Sequence, residues 1–245
     1  MKASTEDLAH RGSRSRLGVL LRRVILAVGA WLLLSCGVHY GLVPEAPIPP
    51  EAQPRVGDSL VNPVVGETVV FTEITGHDDA RRFKIRVTLA PGGYVPVAHK
   101  HGASRETFEV VEGELTFRHG DETRVLRPGD VVTVEPGEPH APSNSSGEQA
   151  VFTVIIDPGA LLGVCLVQLH GFMEETGHGP TSLAGFLQSS RFGLAYDVYL
   201  ADIPIGLQRA GLTLLDPTLR LLGVDRYLPR HTARARTRGA TAPTP

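Results

Sequence analysis

The chain has 245 residues, of which 42% are hydrophobic, and this is sufficient for one domain of ordinary size with additional segments. Its formal net charge of −2 is distributed unevenly, because residues 1–23 and 225–245 each carry a net charge of +4 while residues 24–224 carry −10. Such an acidic body argues against nucleic acid as the main partner, since phosphate binding requires a basic face on the folded domain.

The N-terminal region predicts a membrane anchor. Residues 1–23 form a basic segment, and residues 24–43 contain no Asp, Glu, Lys or Arg. A helix of that length spans about 30 Å, the hydrocarbon thickness of a bilayer. Positive charge stays on the cytoplasmic side, so we expect residues 1–23 inside the cell and the rest of the chain outside, with His39 and Tyr40 near the outer interface. Membrane lipid is therefore an expected partner of this helix.

Other interpretations of this region remain open. Residues Leu33 to Cys36 resemble a bacterial lipoprotein box, in which the chain would be cut before a lipidated Cys36. Apolar residues continue to Val43, however, as they do in a membrane span. The preferred order is an uncleaved single-pass anchor, then a lipoprotein anchored at Cys36, then a cleaved signal, and a buried core helix is the remaining alternative.

Residues 44–60 predict a linker, because five prolines occur between Pro44 and Pro54. Proline favours the extended polyproline II conformation, so we expect a semi-rigid spacer that holds the next domain off the membrane. The two cysteines, Cys36 and Cys165, are not expected to pair, and the domain would be held by packing and metal.

Residues 61–157 predict an all-β sandwich or barrel, because short β-rich runs alternate with Gly- and Pro-containing turns. The predicted strands are Thr68 to Glu73, Phe83 to Leu89, Tyr94 to Val97, Thr107 to Val111, Leu115 to Arg118, Thr123 to Leu126, Val131 to Val134 and Ala150 to Ile156.

A metal site is indicated between Gly93 and Gly113, where His99, His101 and Glu106 follow the interval H-x-H-x4-E. Alternate side chains on a strand share one face, so both imidazoles can approach one ion. Glu106 lies far enough along the chain to occupy the next strand, where its carboxylate can be a third ligand.

A second segment supplies a fourth ligand, His140, after glycines at 129 and 137 and before Asn144. The two segments resemble the paired motifs of the cupin superfamily, G-x5-H-x-H-x4-E-x6-G and G-x5-P-x-G-x2-H-x3-N. One position departs from the pattern, since Glu135 stands where proline is usual. This departure changes no ligand.

The resemblance implies a cupin jelly-roll barrel whose interior holds His99, His101, Glu106 and His140. Strand parity then predicts an apolar pocket wall, with inward side chains at Val95, Val97, Phe108 and Val110. A ligand set of nitrogen and oxygen without thiolate suits a divalent transition metal, and Fe, Mn, Ni, Zn, Co and Cu all remain open.

The remaining histidines of interest are expected to lie outside this site. His77 and His119 fall in predicted turns and should be solvated, and His170 and His178 follow the barrel in sequence.

Residues 158–230 predict a helical C-terminal module, with Asp216 as a helix N-cap and Pro217 at the first helical position. Packing on the barrel is the expected cover for its apolar residues, and membrane contact is the alternative. Residues 231–245 are rich in Thr, Ala, Arg and Pro and predict a disordered tail.

Three functions are compatible with this sequence. The first is a small-molecule oxygenase in which Glu106 is both a ligand and a catalytic proton acceptor. The second is a Lewis-acid isomerase or hydrolase, and the third is a ligand-binding or sensing module at the cell surface. Each implies a small-molecule partner, and a homodimer remains open.

Overall fold

The structure is a computed structural model that describes residues 5–38, 41, 45–95 and 97–241, with side chains described between residues 16 and 240 of these ranges. Helix α1 spans Thr5–Gly37. Its segment Arg16–Gly37 could cross a membrane by length and composition, and its most apolar window has a mean hydropathy of 2.0 and no buried residue. The outer end of the predicted span, including His39 and Tyr40, lies outside the described residues.

Two antiparallel sheets form the central domain, with strand orders β1-β2-β3-β10-β5-β8 and β11-β4-β9-β6-β7. The strands are β1 (Ser59–Asn62), β2 (Glu67–Thr75), β3 (Arg82–Leu89), β4 (His99–His101), β5 (Arg105–Glu112), β6 (Leu115–His119), β7 (Glu122–Leu126), β8 (Val131–Val134), β9 (His140–Ser143), β10 (Ala150–Asp157) and β11 (Val198–Leu200). The prediction of a strand from Tyr94 to Val97 is wrong, because Tyr94 makes only an isolated bridge to Ser143.

Inward side chains of both sheets share one core. On β3 and β5 buried and more exposed residues alternate, as expected for strands with one face inward. Phe108 of β5 lies edge-to-face on Phe117 of β6, with ring centroids 4.8 Å apart, so aromatic packing joins the two sheets.

Four described α-helices follow β10, with β11 between the second and the third of them: α2 (Ala160–Thr176), α3 (Leu183–Tyr196), α4 (Ile205–Leu221) and α5 (Pro229–Thr241). An all-β class is therefore wrong for the whole chain, since 41% of it is helical. Helices α2 and α5 contact each other and β1, so this part of the module packs on the sheets. Asp216 and Pro217 lie inside α4 and are buried, so the predicted N-cap is also wrong.

Helix α4 also leaves apolar surface uncovered. Leu207, Leu214 and Leu221 recur every seven residues and are between 45% and 66% exposed. The same helix contacts α1, and Ser35 and Val38 near the end of α1 are buried. Packing on the barrel thus accounts for only part of the apolar surface of the module.

The prediction of a disordered tail from residue 231 is wrong for residues 231–241, which belong to α5. Arg230 and Arg238 pair with Glu175 and Glu174 of α2, and Ala235 is buried. Composition alone suggested disorder, but carboxylates from a distant helix give these arginines fixed partners.

The prediction of a spacer is wrong for residues 45–60. Ala52 is fully buried in a cluster with Cys165 of α2 and Tyr196 of α3, and Ser59 begins β1. Glu45 accepts a hydrogen bond from Arg191 of α3. This segment is thus part of the packed domain.

Arg191 is buried, and its guanidinium donates to Asp216, Glu45 and the Val224 carbonyl oxygen. We expect Arg191→Met to lower the free energy of unfolding by roughly 3 kcal/mol, because it removes the main cation from two carboxylates of low exposure. Chemical denaturation measures this change. Arg124→Met is the control, since Arg124 and Glu122 form an exposed pair and its loss should leave stability almost unchanged. Equal effects of the two substitutions would contradict the structural role of Arg191.

Candidate metal centre

The structure brings together the four side chains that the sequence proposes as metal ligands. His99 and His101 lie on β4, His140 on β9 and Glu106 on β5, so both sheets contribute. One ligand atom from each of the four residues lies within 4.8 Å of those of the other three. His99 also lies opposite His140 in the antiparallel pairing of β4 with β9.

Hydrogen bonds orient two of the imidazole rings. His99 Nδ1 lies 2.9 Å from the Val97 carbonyl oxygen, and His140 Nδ1 lies 3.3 Å from that of Glu138. A carbonyl oxygen only accepts, so both Nδ1 atoms carry hydrogen and both Nε2 atoms present a lone pair. This is the arrangement in which metal-binding histidines are usually held.

The donor atoms are spaced as ligands of one ion would be. Glu106 Oε2 lies 2.7 Å from His140 Nε2 and 3.5 Å from His101 Nε2. Two ligands at metal distances of about 2.1 Å lie about 3.0 Å apart at a right angle and about 3.4 Å apart at a tetrahedral angle. Among the described residues, none completes a hydrogen bond of acceptable geometry to these three atoms. The cluster is compatible with a divalent metal ion.

Electrostatics favour the metal-binding protonation states. Burial, together with the neighbouring His140 and His101, lowers the pKa of His99 to about 3. Burial alone would raise the pKa of Glu106, but the adjacent imidazoles of His101 and His140 outweigh this effect and hold that pKa well below its ordinary value. A neutral imidazole and a carboxylate are the forms that bind metal ions.

The cluster opens into an apolar cavity of about 100 Å³. Phe108 and Val95 line it as predicted, but Val97 does not, because its backbone adopts a φ of 62° that interrupts strand alternation before β4. Helix α2 covers one side with Leu162 and Cys165. Burial raises the pKa of the Cys165 thiol to about 12, so it is a neutral wall residue and not a thiolate ligand.

The C-terminal module supports the strand that carries two of the histidines. β11 pairs with β4, with Leu200 opposite His99 and Val198 opposite His101. Asp197, which ends α3 in a left-handed conformation, accepts a hydrogen bond of 2.8 Å from Ala103 N after β4. A helix, and not β11, was predicted at Val198–Leu200, because these residues belong to the apolar stretch Ala195 to Leu200 of the predicted helical module.

His170 lies outside the metal cluster, as predicted, but it lines the same cavity as Glu67. Its partner is 103 positions away, so no local sequence signal joins the two residues. His77 and His178 are exposed. His119 is partly exposed and lies 2.9 Å from Glu138, outside the cavity lining.

Family comparison identifies the central segment. Residues 85–156 match the family model described as a cupin domain. This segment is a cupin domain. It contains β4, β5 and β9, so all four side chains of the metal cluster lie within it. No curated protein sequence matches the chain.

Solved structures similar to the chain include three proteins of different description. A sugar phosphate isomerase of the cupin superfamily from Silicibacter pomeroyi has 20% identity and a TM-score of 0.34, over 38% of this chain and 61% of that one. KdgF from Halomonas sp. has 19% identity and a TM-score of 0.33, over 38% and 81%. A predicted oxalate decarboxylase from Thermotoga maritima has 24% identity and a TM-score of 0.35, over 42% and 96%. The matched region is thus less than two thirds of the Silicibacter protein.

We expect the full-length protein in detergent to take up one divalent transition metal per chain, and His101→Ala to lower this content. The expected stabilisation of the folded state is about 2.7 kcal/mol when free metal is one hundred times its Kd. Elemental analysis and thermal unfolding with and without metal measure both effects. His77→Ala, an exposed histidine, is the control and should change neither. Wild-type protein that takes up no metal on titration would contradict this assignment.

Proposed function

We propose that the protein is a membrane-anchored, metal-dependent oxygenase for a small and mainly apolar molecule. The observation that carries this proposal is the meeting of the four-residue donor cluster with a buried apolar cavity. An ion held by His99, His101, Glu106 and His140 supplies Lewis acidity, and with iron, manganese or copper it also supplies redox chemistry toward dioxygen.

The protein residues supply orientation, shielding and a proton acceptor. The Val97 and Glu138 carbonyl oxygens fix the rings of His99 and His140. Leu162 and Leu166 of α2 cover the cavity and exclude water from the reacting molecule. Glu106 supplies the carboxylate of the cluster, and this carboxylate accepts a proton from a bound hydroxyl group.

The oxygenase proposal predicts that Glu106→Gln loses turnover beyond its loss of metal. Gln keeps the size and an oxygen donor but cannot accept the proton, so we expect a loss of at least about 100-fold per bound metal. Dioxygen consumption with a panel of hydroxylated and dicarbonyl compounds, after loading with Fe, Mn, Ni or Zn, is the measurement. Glu109→Gln is the control, because Glu109 lies on the same strand with an exposed side chain.

The metal dependence separates the three functions. Turnover with Fe or Mn and dioxygen supports the oxygenase, whereas turnover with Zn and without dioxygen supports a Lewis-acid isomerase or hydrolase in its place. Compounds that bind and raise the melting temperature without turnover under any metal would replace the enzyme with a ligand-binding or sensing module.

We also propose that α1 is an uncleaved anchor with the cupin domain outside the cytoplasm. Arg22 and Arg23 flank the apolar part of α1, whose Leu33 is 77% exposed. A bilayer would cover these apolar side chains and keep the arginines on the cytoplasmic side. The exposed leucines of α4, which contacts α1, lie where they could meet the same bilayer surface.

For the anchor we expect protease added to intact spheroplasts to remove the cupin domain, and mass spectrometry to find an intact N-terminus. A cytoplasmic protein assayed in the same sample is the control for intact spheroplasts. Full protection of the domain would overturn the topology, and a mature chain that begins at a lipidated Cys36 would replace the anchor with a lipoprotein.

A further inference from the structure

The cavity that meets the metal cluster contains a second polar group. Glu67 of β2 and His170 of α2 both line it, and their side chains are only 3% and 2% exposed. His170 Nε2 lies 3.0 Å from Glu67 Oε2. The metal cluster uses neither residue.

The hydrogen bonds of His170 determine how many protons the pair carries. His170 Nδ1 lies 2.9 Å from the Leu166 carbonyl oxygen, which can only accept, so Nδ1 carries a hydrogen. The contact between Nε2 and Glu67 Oε2 then needs one further proton, held by either atom. In both cases the pair is neutral overall, which explains how it lies buried in a mainly apolar cavity.

The pair retains one unused acceptor. Oε2 of Glu67 is occupied by His170, and Oε1 has no hydrogen-bond partner among the described residues. Because both residues line the cavity, a hydroxyl group of a bound molecule can donate to this carboxyl group. None of the described residues that line the cavity is Lys or Arg. An anionic group next to Glu67 would therefore be buried without a counter-ion, at high cost.

We infer that Glu67 and His170 form a second recognition point, which binds a neutral hydroxyl group of the ligand while the metal-binding oxygens of the ligand lie at the His99, His101, Glu106 and His140 cluster. This inference rests on the proposed metal-dependent function. Apolar side chains such as Ile85 and Phe152 line the same cavity and contact the rest of the ligand.

The cavity volume limits the size of the ligand. A cavity of about 100 Å³ is somewhat smaller than the engineered cavity of about 150 Å³ that holds benzene. The ligand class is therefore a compact molecule no larger than a single unsubstituted ring, which carries metal-binding oxygens and, apart from them, an uncharged hydroxyl group.

The pair of Glu67 and His170 also connects β2 to α2, and this structural role must be distinguished from binding of the ligand hydroxyl group. A double substitution distinguishes the two roles. Replacing a buried ion pair with apolar residues of similar volume is often neutral or stabilising. The double variant Glu67→Leu and His170→Leu should therefore fold, with a melting temperature close to that of the wild type. It should also bind the same amount of zinc, because all four ligand residues are intact.

The probes are two six-heavy-atom hydroxyketones of nearly equal size, dihydroxyacetone and 1-hydroxy-2-butanone, which differ by a hydroxyl in place of a methyl group. Zinc-loaded full-length protein avoids oxidation during calorimetric titration. We expect the wild type to bind dihydroxyacetone at least about tenfold more tightly than 1-hydroxy-2-butanone, and the double variant to lose or reverse this preference. A bound hydroxyl that pairs with a buried carboxyl group is the reason for the difference.

Each other outcome has a definite meaning. Zinc-loaded wild type that binds both hydroxyketones equally, or binds neither, would overturn the second recognition point while the metal site stands. If the double variant keeps the preference for the hydroxyl compound, a group other than Glu67 and His170 causes that preference, and the inference is wrong. Wild type that binds no zinc would overturn the proposed function itself and this inference with it.

Discussion

His101, Glu106 and His140 are buried, and their side chains carry nitrogen or oxygen atoms without hydrogen-bond partners in the described part of the chain. Burial of a polar group without a partner costs roughly 2–7 kcal/mol, depending on the reference environment. A cation shared among these atoms would offset that cost, since metal binding to a folded site is coupled to folding. The two sheets must therefore hold His99, His101, Glu106 and His140 at short distances despite this desolvation cost, and the rest of the structure provides that support.

Much of the support comes from outside the cupin domain. β11 pairs with the strand that carries His99 and His101, and Lys100 between them donates to the Ala201 carbonyl oxygen at 2.7 Å. Helix α3, which precedes β11, is held in turn by the buried Arg191. Helix α2 covers the cavity and supplies His170. The helical module is thus part of the architecture of the site and not an appended unit.

The sequence predicted the site better than its surroundings. The motif intervals between His99 and His140 predicted the ligand residues, and alternating apolar residues between turn glycines predicted the strands. Both signals are local in the sequence. The position of His170 in the cavity wall was missed because its partner lies across the fold. Residues 231–241 were assigned to a disordered tail because helix formation there depends on carboxylates of α2, which composition does not reveal. Val97 was misplaced because a left-handed backbone angle breaks the alternation on which the prediction relied.

The pairing of β11 with β4 also affects the association behaviour of the protein. β4 is a short strand, and without β11 it would be the edge strand of a four-stranded sheet, with its outer backbone N–H and C=O groups exposed. Exposed sheet edges pair readily with other chains, and a short covering strand is one of the ways in which proteins prevent this. In a fragment that stops at residue 157, the strand that carries His99 and His101 would therefore be an unpaired sheet edge. Such fragments would associate through this edge, and the association would disturb the positions of the metal ligands.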